Sequence, residues 1–219
     1  MAKRITVLAG HYGSGKTNLA VNLAFALKKE ERAVKVADLD VVNPYFRTKD
    51  SAEDLKEAGI GLISSEYANS NVDIPALPPE MYSIVDDRST SFLVDVGGDD
   101  RGALALGRLT PAILEEENYE MLLVANFYRP LTRDANALLE VVREIEAAAG
   151  MRFTGVVNNS NLGEETTPKD ILDSIPIAEA FSALVGLPLI MTSVRFELYE
   201  ALNGKIENLF PMQLQKKYY

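Results

Sequence analysis

The opening of the chain constrains the fold more than any other stretch. An apolar run of strand length, "RITVLA", leads directly into the glycine-rich "GHYGSGKT" (residues 10 to 17). "KTNLAVNLAFALKKEER" follows, with Leu19, Val21, Leu23, Ala24 and Leu27 on or near one helical face, and then a second apolar run, "AVKVADLD". Strand, tight turn, amphipathic helix and strand predict two parallel strands with a helix laid across them. The basic residues at the end of the helical stretch suit the negative end of its dipole. Four further apolar runs, "SFLVDVGG", "EMLLVANF", "FTGVVNN" and "PLIMTSV", recur with helical patterns between them. The clearest of these patterns is "TRDANALLEVVREIEAAAG", closed by Gly150 in a C-terminal capping position. This alternation predicts an α/β fold: a doubly wound, mostly parallel sheet with helices on both faces, in three layers, formed by residues 1 to 219 as a single domain.

Composition narrows the chemistry. With 47% hydrophobic residues the chain can bury a substantial core, and no window approaches the 18 or so unbroken apolar residues of a membrane span. "MAKRITVLAG" reads as a first strand and not as a signal peptide, so a cytoplasmic location is expected. The absence of cysteine excludes disulfides, thiolate metal sites and iron–sulfur clusters, and a single histidine excludes a histidine-rich metal site. Any metal must be held by oxygen, which points to magnesium. The net charge of -10 opposes attraction to nucleic acid or anionic membrane, and neither is expected as a partner. An anionic ligand would therefore need a local positive site.

Gly10, Gly15, Lys16 and Thr17 satisfy G-x-x-x-x-G-K-[ST], in the context of strand before and helix after that a phosphate-binding loop requires. Glycines let the backbone curl so that successive N–H groups, here including those of His11, Gly13 and Ser14, face a phosphate chain at a helix N-terminus. Lys16 would reach the β- and γ-phosphates, and the Thr17 hydroxyl would ligate magnesium. Ligands of doubly wound sheets lie beyond the carboxyl ends of the strands. Asp38 and Asp40 close one strand and Asp95 another, so three carboxylates converge on the expected magnesium and γ-phosphate. Asp95 reads as the metal-holding aspartate of the strand "SFLVDVGG", and Gly98 leaves a backbone N–H for the γ-phosphate. Of Asp38 and Asp40, one strand period apart, one would bind a magnesium water and the other orient the attacking water.

The set "GHYGSGKT", "ADLDVVNP", "VDVGG" and "VANFYRPLTRDANALL" resembles the MinD/ParA family of P-loop ATPases, within the wider CobQ/CobB group, over roughly residues 3 to 161. Asn126, Arg133 and Asp134 match the asparagine and R-D dipeptide of that family. The resemblance implies ATP or ADP and Mg2+ as ligands, slow hydrolysis, and a homodimer as one assembly. It makes Asp40 the catalytic, water-orienting aspartate alongside Lys16, and Asp38 a switch residue near magnesium, with Thr17 and Asp95 completing the metal set. It makes Asn159, or the adjacent Asn158, the residue that contacts the base.

Two departures stand out. The family carries a second lysine directly after the first glycine, and here that position is His11, which offers only a conditional charge near neutral pH. His11 either substitutes for that lysine or packs and hydrogen-bonds as an ordinary loop residue, and Arg101 and Arg129 are alternative cations for its place. The C-terminal "NLFPMQLQKKYY" is broken by Pro211 and too short for the amphipathic helix of membrane-binding relatives. The leading functional expectation is a nucleotide-controlled switch acting on a protein partner. A small-molecule kinase or ATP-dependent ligase, like the dethiobiotin-synthetase branch, is the alternative, and a binding module without turnover a third. A kinase needs an acceptor pocket, for which the irregular residues 64 to 80, with Arg47 and Arg101, are the candidates.

Overall fold

The computed structural model of the chain describes residues 3–30, 32–39, 51–64, 77–98 and 100–214. β1 (Ile5–Ala9) enters the glycine loop, α1 (Lys16–Lys29) leaves it, and β2 (Val34–Leu39), α2 (Ala52–Glu57) and β3 (Gly61–Ser64) follow. A short 3-10 turn and α3 (Ser83–Asp86) precede β4 (Ser91–Val96), α4 (Asp100–Gly107), α5 (Thr110–Glu116), β5 (Tyr119–Ala125) and α6 (Ala135–Ala149). The chain continues through β6 (Gly155–Asn158), α7 (Pro168–Val185), β7 (Leu189–Arg195), α8 (Phe196–Leu202) and β8 (Leu209–Met212).

The eight described strands form one sheet in the order β3-β2-β4-β1-β5-β6-β7-β8, and every pairing is parallel. Strand alternation sends successive residues to opposite faces. Leu8 packs with Leu19 and Ala20 of α1 and with Leu122, Val124 and Val157. Val36 and Leu93 join Val21, Ala24 and Leu27 of α1 and Leu55 of α2 on that face. Val7, Ala9, Val94 and Leu123 go the other way, onto Leu106, Ile113, Leu138, Val142 and Phe181 of α4 to α7. Both faces are covered, which is why the central strands read as unbroken apolar runs.

All six expected strands form. The two that the sequence reading leaves out, β3 and β8, are the edges of the sheet. Pro211, read as a breaker, lies within β8 opposite Val194. An edge strand tolerates the missing N–H because one of its sides has no ladder to donate to. Gly150 caps α6 with φ 65, as expected, and the Asp134 side chain caps the other end by accepting the N–H of Asn136 at 2.9 Å.

The amino ends of the strands are fastened by Arg4. Its guanidinium is buried and uses all five N–H groups. Nε and Nη2 reach the two carboxylate oxygens of Glu116. Nη1 donates to the carbonyls of Asp87 (3.0 Å) and Thr90 (3.2 Å), and Nη2 also donates to that of Ile84 (2.8 Å). One side chain thus ties the start of β1 to the end of α5 and to the segment entering β4. The Arg4 guanidinium holds the Glu116 carboxyl below the usual range, more than offsetting the opposite pull of burial. No described helix is long and apolar enough to cross a membrane.

Candidate functional site

β1 lies between β4 and β5, and the chain winds from one side of it to the other, so the crevice beyond its carboxyl end is the switch point of the sheet. Residues 10 to 15 occupy that crevice. Gly10, Gly13 and Gly15 have φ of 150, 75 and 89, and the two tightest leave no room for a side chain. A Cβ on Gly10 would stand 2.5 Å from the carbonyl oxygen of Val124, and one on Gly15 would stand 2.3 Å from Asn159 Nδ2. Gly15 precedes the first turn of α1, so the curled backbone delivers the positive end of the helix dipole into the loop.

Lys16, buried, folds over this loop and donates from Nζ to the carbonyls of Gly10 (2.9 Å) and His11 (3.2 Å). Ser14 Oγ is buried and has no hydrogen-bond partner among the described residues. A glycine-rich loop that carries an ammonium group on its carbonyls and a buried hydroxyl without a partner is an arrangement that suits an oxygen-rich anion. Thr17 is the second residue of α1.

Asp38 and Asp95 are register partners across β2 and β4, and Asp95 is in turn the partner of Leu8. Partners in a parallel ladder face the same way, and Leu8 packs against α1. Both carboxylates therefore belong to the face of the sheet that carries α1 and the phosphate loop, and both are buried. Among the described residues no group of three acidic or imidazole side chains gathers to hold a metal unaided. One or two carboxylates with a hydroxyl and phosphate oxygens is the usual protein share of a magnesium site, and Thr17, Asp38 and Asp95 suit it in kind. Asp40 and Arg47 lie outside the described residues, as does most of the irregular segment, residues 65 to 76. Arg101 is exposed on α4.

Gly98 touches the phosphate loop directly: a Cβ there would stand 2.5 Å from the nitrogen and 2.7 Å from the Cα of Tyr12. The turn after β4 thus rests on the loop with nothing between the two backbones. His11 is partly buried, and its Nδ1 donates to the carbonyl of its neighbour Tyr12 at 2.9 Å. An ordinary loop residue makes such a bond, and it leaves Nε2 uncommitted to the Tyr12 carbonyl.

The two asparagines that sequence reading assigns to the base are both engaged inside the protein. Asn159 donates from Nδ2 to the carbonyl of Ser14 at 2.5 Å and accepts from Ser193 Oγ of β7. Asn158, fully buried, donates to Ser174 Oγ of α7 at 2.8 Å and accepts the N–H of Ser160 at 3.2 Å. Asn159 is a strut between the phosphate loop and the ends of β6 and β7. Asn126 has a similar part, with Oδ1 accepting from the N–H groups of Tyr128 (3.0 Å) and Asn161 (3.3 Å) and Nδ2 donating to the Asn161 carbonyl (3.1 Å). Arg133 is exposed. Ser193 and Asn161 complete the network and escape sequence reading, since a lone serine in a strand and an asparagine in a loop carry no pattern.

Comparison with known proteins bears on the fold and the family. No curated protein matched the chain. Among solved structures it is similar to the cell division protein FtsY of Thermotoga maritima, with TM-score 0.59, 17% identity, and 87% of this chain and 61% of that chain covered. FtsY of Mycoplasma mycoides is similar at TM-score 0.56 and 19% identity, over 87% of this chain and 59% of that chain. The signal recognition particle 54 kDa protein of Aeropyrum pernix, solved in complex with GDP, gives TM-score 0.52 and 17% identity over 88% of this chain and 41% of that one. The chain thus spans about three-fifths of the FtsY chains, and at these identities the likeness is one of fold. Residues 5–185 match the model of the CobQ/CobB/MinD/ParA nucleotide binding domain. That match covers most of the chain and includes the loop, Lys16, Asp38 and Asp95, and the protein belongs to the CobQ/CobB/MinD/ParA nucleotide-binding family.

Proposed function

We propose that the protein is a magnesium-dependent ATP-binding switch with slow hydrolysis, whose nucleotide state controls a protein partner. The observation that carries the reading is the meeting, at one strand-end crevice, of the Lys16 loop with two register-paired carboxylates, Asp38 and Asp95, on the same face of the sheet. Lys16 would exchange its two loop carbonyls for phosphate oxygens, supplying a fixed positive charge in a protein of net charge -10. The Ser14 hydroxyl and the loop N–H groups would complete the cradle. Thr17, Asp38 and Asp95 would hold magnesium, which supplies neutralisation of phosphate charge when bound. Asp40 would orient water for hydrolysis, as the family resemblance implies.

The contact of Gly98 with Tyr12 supports the switch in particular. A terminal phosphate gives the Gly98 N–H something to bind and must separate backbones that now touch, so a triphosphate and a diphosphate should leave the β4–α4 turn in different positions. ATP rather than GTP is the nucleotide that the family resemblance implies. Hydrogen exchange with AMP-PNP and with ADP, each with magnesium, tests the switch. The reading expects residues 97 to 107 to differ in protection between the two states, and identical protection would contradict it.

A further inference from the structure

The turn between β5 and α6 presents an arginine to the phosphate loop from the side opposite the acidic strand ends. Where a Cβ on Gly13 would stand, Arg129 Nε is 3.8 Å away and Cζ 3.9 Å away, so the guanidinium stands beside the loop at Gly13 with room for about a methyl group between them. Arg129 is exposed, and among the described residues its side chain makes no hydrogen bond or ion pair.

A free guanidinium on a mobile loop would mean little, but this turn is fixed from within. The Asn126 carbonyl accepts the Arg129 N–H (3.1 Å) and the Thr132 hydroxyl, and the Arg129 carbonyl accepts the Thr132 N–H (3.1 Å). The Phe127 N–H donates to Ser160 Oγ at 3.0 Å, and Asn126 and Thr132 are fully buried. The backbone that carries Arg129 is thus held while its charged end is uncommitted.

The electrostatics of the crevice call for such a group. β1 has β4 on one side, bringing Asp95 with Asp38 beyond it, and β5 on the other, bringing Arg129. A phosphate chain in the loop would have its metal-binding carboxylates on the first side and Arg129 on the second. The position along the loop favours the terminal phosphate: Gly13 follows Tyr12, the residue that Gly98 touches, whereas Gly15 and Lys16 begin the helix.

Resting on the proposed nucleotide reading, we propose that Arg129 is a phosphate-binding cation supplied by the same chain, which closes onto the γ-phosphate and distinguishes the triphosphate from the diphosphate. A planar guanidinium with donors unspent can take two oxygens of the terminal phosphate at once, a contact that the diphosphate lacks.

Calorimetric titration of AMP-PNP and of ADP, with magnesium, into wild type, Arg129→Ala, Arg129→Lys and Arg143→Ala tests this without relying on turnover. Arg143 is an exposed cation of α6 and controls for loss of net charge. Arg129→Ala is expected to weaken AMP-PNP by about tenfold while ADP stays within about twofold, the loss of one charge-assisted contact. Arg129→Lys should fall between, keeping charge without the fork, and Arg143→Ala should match wild type. Thermal melts of the free proteins check that folding is unchanged. Unaltered AMP-PNP affinity in Arg129→Ala, or equal weakening of both nucleotides, would overturn the proposal. A wild type that binds neither nucleotide would instead refute the nucleotide reading, and the Arg129 proposal with it.

Discussion

Replacing Asn159 separates a strut from a base reader. In Asn159→Ala the Ser14 carbonyl loses its 2.5 Å donor, and Ser193 Oγ loses its acceptor, keeping only the Asn158 carbonyl at 3.4 Å. Asn159, Ser14 and Ser193 are buried, so water does not simply replace the lost bonds. A buried group left without its partner costs about 1–3 kcal/mol, and with Ser193 partly re-satisfied the sum is about 2–4 kcal/mol. Urea unfolding reads this directly, because the surface exposed on unfolding, and so the slope, hardly changes. The nucleotide consequence is non-selective: a loosened Ser14–Gly15 backbone should weaken ATP and GTP by the same factor. Gly15→Ala displaces the same amide from the other side, since its Cβ would stand 2.3 Å from Nδ2, and adds about 1–2 kcal/mol for a side chain at φ 89. With Asn159 already truncated the clash is gone, so the double variant should cost at least about 1 kcal/mol less than the sum of the singles. Unchanged unfolding of Asn159→Ala together with a collapse of ATP selectivity, or strict additivity in the cycle, would refute the strut.

Arg4→Gln should destabilise by about 3–5 kcal/mol, the cost of leaving Glu116 buried without its partner. Because the Glu116 carboxyl is held below its ordinary value of 4.5, that contribution is present above that pH and is lost as pH falls through the depressed value. The gap between wild type and Arg4→Gln in urea unfolding should therefore be constant near neutrality and narrow on acidification; a gap that widens would contradict the ion pair. Gly98→Ala puts a methyl group 2.5 Å from the Tyr12 nitrogen, so ATP turnover should fall by about a hundredfold, the scale of one lost donor to a developing charge. Turnover equal to wild type would remove Gly98 from the switch. His11→Gln keeps a polar side chain near the Tyr12 carbonyl and should hydrolyse ATP within about twofold of wild type. A tenfold loss would return His11 to the lysine role.

The legible parts of this molecule are those set by local pattern. The loop announces itself because glycine is needed where φ is positive and a side chain would strike Val124 or Asn159, and the lysine follows at fixed spacing. The central strands are legible because both their faces are buried. β3 and β8 are not, since four residues paired on one side need no apolar run, and Pro211 argues against a strand everywhere except at an edge. Gly150 is read correctly as the end of a helix, because a cap is local. The Arg4–Glu116 pair joins residues 112 positions apart, and the Asn159–Ser14 bond residues 145 apart. Pairings at such separations leave no trace in one sequence. For the same reason Arg129 can be picked out as a cation but not placed on Gly13.

The central claim, that Lys16 and its loop hold nucleotide phosphates, is tested most directly by calorimetry of ATP with magnesium against wild type and Lys16→Ala, with GTP run in parallel. The Lys16 Nζ bonds described above go to loop carbonyls, so its removal should leave the melting temperature within a few degrees. The account predicts saturable ATP binding by wild type, weaker GTP binding, and no measurable binding of either by Lys16→Ala at the same concentrations. Equal ATP affinity in the two proteins would contradict it.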